Sequence, residues 1–153
     1  MKQHQLFDII SIELPDSWAV SEEELSSAGE GQPSAREAVG FDESRESGLL
    51  NVKCYQFETS AAEQQTQLLG SVYAETEKHS IAEGISWGRE LLNGNEEGMD
   101  LAITRWLICS TQNSEQFVLL IVNYSIEAEL LDDDAIVAEL SMLETTFKNA
   151  KWS

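Results

Sequence analysis

The segment Phe117 to Ile126 constrains the fold more than any other part of the chain. It is apolar at odd and even positions alike, so a strand built from it would be hydrophobic on both faces. A strand of that kind needs cover on both sides and belongs inside a sheet. Gly48 to Glu58 reads the same way, with Leu50, Val52 and Cys54 on one face and Tyr55 and Phe57 on the other. At 153 residues with 42% hydrophobic content, the chain is long enough for one ordinary domain with a real core. We therefore expect a single domain over 1–153.

Further strands are expected at Leu6 to Leu14, Ala38 to Phe41, Ile85 to Leu92 and Leu101 to Ser110. In the first, Leu6, Ile10, Ile12 and Leu14 share one face, and Pro15 ends the ladder. Ser21 to Ser34, rich in Glu, Ser and Gly, reads as a mobile loop. Asn93-Gly94 is a turn signal. Ser60-Ala61-Ala62-Glu63 has capping-box spacing and predicts a helix running to Lys78 or His79. A second helix is expected from Asp134 to Phe147, where Ile136, Leu140, Leu143 and Phe147 recur at helical spacing behind the acidic cap Asp132 to Asp134. These elements predict an α+β fold: a mostly antiparallel sheet of about six strands with two helices. The doubly apolar strands favour opposite faces for the helices, giving a three-layer α/β/α sandwich.

The opening Ile12-Glu13-Leu14-Pro15-Asp16-Ser17-Trp18 and the terminal hairpin and helix resemble proteins of the PsbP-like fold group. That group includes a photosystem II extrinsic subunit, a Ran-binding nuclear-import factor and DcrB-like bacterial proteins, some of them chaperones for secreted effectors. The resemblance implies a closing Lys-rich strand, here Lys148 to Trp152, and a role in binding other proteins. It carries no binding residue over to this chain.

Charge narrows the function classes. Nine basic residues against 28 acidic ones leave a formal charge of −19. A nucleic-acid binder needs a basic stripe to displace counterions, and anionic lipid would repel this surface. The longest apolar stretch, Phe117 to Val122, is far short of the roughly 20 residues of a spanning helix. The N-terminus lacks the basic and apolar regions of a secretory signal. Cys54 and Cys109 sit in apolar strand-like runs and read as reduced core thiols, which fits a cytoplasmic protein.

Catalytic and metal signatures do not emerge. His4 and His79 lack the spacing of zinc ligands, and the sequence has no nucleophile elbow, Walker loop or dinucleotide fingerprint. We expect no enzyme activity, no cofactor and no metal. The leading expectation is a non-catalytic acidic protein-binding module, an adaptor or chaperone, whose partner is a protein and in particular a basic one. An immunity protein masking a basic toxin is the first alternative, since complementary charge speeds association. An enzyme with an unrecognised site is the other.

The candidate binding residues follow from the same logic. Glu22, Glu23 and Glu24 form an acidic run suited to a basic partner. Trp87 and Arg89, in Ser86-Trp87-Gly88-Arg89, have the composition of an interface hot spot if exposed. Trp106 is expected in the core, and Trp18 over a sheet end.

Overall fold

The computed structural model describes residues 1–26, 34–44, 48–58, 79–82, 85–110 and 116–152. They form two sheets. Strands β1 (Lys2–Leu6), β2 (Ile10–Leu14) and β10 (Lys151–Trp152) make a small sheet in the order β1-β2-β10. The large sheet is made of β3 (Trp18–Ser26), β4 (Ser34–Asp42), β5 (Leu49–Glu58), β6 (His79–Ala82), β7 (Ile85–Glu96), β8 (Met99–Ser110) and β9 (Gln116–Glu127). Its order is β3-β4-β5-β9-β8-β7-β6, and every pairing is antiparallel. After β9 come a 3-10 turn, Ala128–Leu130, and helix α1, Asp134–Lys148.

The class is α+β, but the expected single six-stranded sheet between two helices is incorrect. Among the described residues ten strands lie in two sheets, with one α-helix. The expected helix Ser60 to Lys78 falls on 59–78, outside the described residues. His79, expected at its end, instead opens β6 opposite Trp87.

Strand β9 lies fourth of seven, the interior position its sequence pattern demands. Val118, Leu120, Val122, Tyr124 and Ile126 are buried on one face, where they meet Leu50, Val52, Cys54, Trp106 and Ile108. The small sheet and α1 close that face with Leu6, Phe7, Ile10, Ile12, Leu14, Ile136, Leu143 and Phe147. Leu107, Cys109 and Leu119 are buried on the opposite face. Cys54 and Cys109 therefore point to different sides of the sheet, and no disulfide joins them. Burial pushes the Cys54 thiol up to about 12, against the smaller opposing effect of Arg36, so it stays protonated and inert.

Three boundaries differ from expectation for identifiable reasons. Leu6 to Leu14 is a hairpin, not one strand: Leu6 pairs with Ile10, while Phe7 and Asp8 turn with φ of 59° and 57°. Asp tolerates that left-handed conformation, and Phe7 is held there fully buried. Within Ser21 to Ser34, Ser21 to Ser26 and Ser34 are strand, and 27–33 lie outside the described residues. Asn93-Gly94 lies inside β7, and the turn falls at Glu97-Gly98, φ 52° and 85°, between the paired Glu96 and Met99. An X-Gly pair with positive φ at both positions matches the twist of a two-residue hairpin. The Asn95 side chain braces it by accepting from Gly98 N at 3.3 Å and donating to Asp100 at 3.0 Å.

Candidate protein-binding surface

The five residues singled out by sequence separate into two settings. Trp87 and Arg89 lie on β7, on the face that α1 covers. Trp87 is half-buried against the core, and the Lys148 ammonium sits 3.8 Å from its ring centroid. Arg89 Nη1 donates to Glu144 Oε1 at 2.9 Å, the same oxygen that accepts from Trp106 Nε1 at 3.1 Å. Lys148 Nζ lies 3.7 Å from the other Glu144 oxygen. Glu144 thus gathers an arginine, an indole and a lysine where helix meets sheet; Trp87 is half-buried there and Arg89 remains exposed.

Glu22, Glu23 and Glu24 lie on β3, the terminal strand of the large sheet. Their side chains alternate between its faces. Glu22 points towards the small sheet, where its Oε1 accepts from Phe7 N at 2.7 Å and pins the β1–β2 turn. Arg36, one strand in, lies 5.7 Å from the Phe7 ring centroid. Glu23 and Glu24 are exposed and make no ion pair with any described residue. Glu23 stands directly opposite Glu37 of β4, a like-charge pair that is destabilising. Glu24 stands opposite Arg36, but that guanidinium donates to Gln56 Oε1 at 3.1 Å instead. Leu25 beside them is 47% exposed. The surface here is two unneutralised carboxylates and an apolar side chain on a sheet edge.

The acids near the helix start divide similarly. Asp133 caps α1 by accepting from Ala135 N at 2.9 Å. Glu127 and Glu129, with Glu97 and Asp100, line an open depression of about 450 Å³. No three His, Cys, Asp or Glu among the described residues are grouped to hold a metal ion. No helix among them is long and apolar enough to cross a membrane.

A scan of known protein families returns no match, and neither does a search of curated proteins. A search of solved structures does return matches. A crystal structure from Bacteroides thetaiotaomicron VPI-5482 superposes with a TM-score of 0.59 at 12% identity, covering 94% of this chain and 45% of that one. This chain therefore spans less than half the length of that protein. A mutant of the protein Mog1 gives a TM-score of 0.48 at 14% identity, covering 98% of this chain and 94% of that one. The Saccharomyces cerevisiae Ran-binding protein Mog1p gives 0.46 at 12%, with the same coverage. At 12% identity the likeness to the Bacteroides structure concerns the fold alone.

Proposed function

We propose that the chain is a non-catalytic protein-binding module whose partner is a basic protein, met at the acidic edge of the large sheet. The observation that carries this reading is the state of Glu23 and Glu24. Both carboxylates are exposed and unneutralised by any described residue, and Glu23 is set against Glu37 across the strands. A chain selected for stability alone gains nothing from that repulsion, whereas a cationic partner relieves it. The formal charge of −19 extends the attraction beyond the contact and raises the association rate. Trp87 and Arg89 lie apart from this edge, on β7 against α1.

The test is capture from a native-cell extract on the immobilised chain, with wild type compared to the double variant Glu23→Gln/Glu24→Gln. Washing at about 50 mM and about 500 mM salt separates screened from buried contacts. A basic protein retained by wild type at low salt and lost from the variant is the expected result. Equal retention by both chains, or capture of acidic proteins only, would remove the acidic edge from the reading.

A further inference from the structure

We propose that β3 accepts an extended, Lys- or Arg-bearing segment of the partner as an additional strand of the large sheet. This rests on the protein-binding reading above and specifies how the partner is held.

Strand β3 is nine residues long and pairs only with β4 among the described strands. Its register fixes which backbone groups face outward. Glu43 N donates to Ser17 O at 2.9 Å, so Ser17 and Glu43 form a hydrogen-bonded pair. Antiparallel ladders alternate such pairs with pairs whose backbone groups point away from each other. Trp18 is the first residue of the second kind, and its N–H indeed donates to Pro15 O rather than to β4. Val20, Glu22 and Glu24 follow at the same phase. Each offers a donor and an acceptor on the outer edge, and no hydrogen bond from another described strand takes these up.

An unpaired edge of this length is a template for any extended chain, and the side chains decide which one it takes. A second copy would bring Glu23 and Glu24 against more carboxylates at an overall −19 per chain, so self-pairing is disfavoured. A strand with cations at alternate positions places one beside Glu23, on the face where Glu37 repels it. The opposite edge of the sheet, β6, is only four residues long, which makes it the poorer template. The acids therefore both forbid self-association and select a basic strand.

The experiment uses the full chain and two capped heptapeptides of alternating Lys and Val, one unmodified and one N-methylated at every residue. Both carry the same charge, but the second has no backbone donor. Binding is read by calorimetry, and the amide hydrogen exchange of Val20, Glu22 and Glu24 is followed by NMR. We expect the unmodified peptide to bind, the methylated peptide to bind at least about tenfold more weakly, and the three amides to gain protection in the first complex. Equal binding of both peptides without protection would overturn strand addition while leaving the basic-partner reading standing. Failure of both peptides to bind would overturn strand addition and count against that reading as well.

Discussion

Tyr124 is the largest fully buried side chain of the described residues, and its hydroxyl is a junction. It accepts from Gly48 N at 2.9 Å and donates to Glu139 Oε2 of α1. Strand β9, the approach to β5 and the helix are tied through one oxygen, which explains why a carboxylate sits on the buried stripe of α1. The arrangement also dictates glycine at 48. A Cβ there would lie 2.5 Å from both the Tyr124 ring and Ile126, and 2.6 Å from the Ser125 carbonyl. Neither the ring nor the backbone can yield without disturbing the junction. Gly48→Ala should therefore destabilise the chain by about 1–3 kcal/mol through overpacking. Urea melts check this, and a loss under about 0.5 kcal/mol would show that the close approach relaxes freely.

At the scale of elements, α1 shows what periodicity can and cannot reveal. Its stripe was legible because burial follows the 3.6-residue period: Ile136, Leu143 and Phe147 are buried, while Leu140 at the stripe's margin is half-buried. Val137, on the other margin, is 52% exposed. Leu143→Ala should cost about 2–5 kcal/mol and Val137→Ala less than about 0.5 kcal/mol. Similar losses from the two in denaturant melts would mean that the helix is rotated from the orientation described. The β1–β2 hairpin was not legible, because its turn returns Ile10 opposite Leu6 and keeps both on the buried face. A pattern read every second residue cannot distinguish that from one continuous strand. Strand β3 was missed for the opposite reason: a terminal strand open to solvent carries Glu where an interior strand carries Val. The candidate site was half-visible on the same grounds. The Glu22 to Glu24 run could be seen, but its place on a sheet edge depends on the strand order. Trp87 and Arg89 looked like a pair awaiting a partner because Glu144 and Lys148, which engage them, lie 55 or more positions away in sequence.

The whole molecule carries −19 formal charges, far more than its own cations can neutralise. Among the described residues the ion pairs are few and at least partly exposed: Met1 with Asp16, Arg105 with Glu90, and Glu144 with Arg89 and Lys148. Exposed pairs of this kind are worth roughly 0–1 kcal/mol each. Folding, by contrast, brings every acidic residue into a compact volume, and the resulting self-repulsion opposes the native state. The two effects respond to salt with opposite sign. At low ionic strength the screening length is about 30 Å, comparable to the molecule, and the repulsion is felt in full; at physiological ionic strength it falls to about 8 Å. If repulsion dominates, as the imbalance of 28 acids over nine bases requires, potassium chloride should stabilise the chain. A relief of about 1–2 kcal/mol corresponds to a rise in Tm of about 2–8 °C for a chain of this size. The same salt should weaken capture of a basic strand at β3, since it screens Glu23 from its partner. Thermal melts and peptide titrations along one chloride series read both trends. A Tm that falls as chloride is added would show that the local pairs outweigh the global repulsion, and that the net charge is not what governs the stability of this fold.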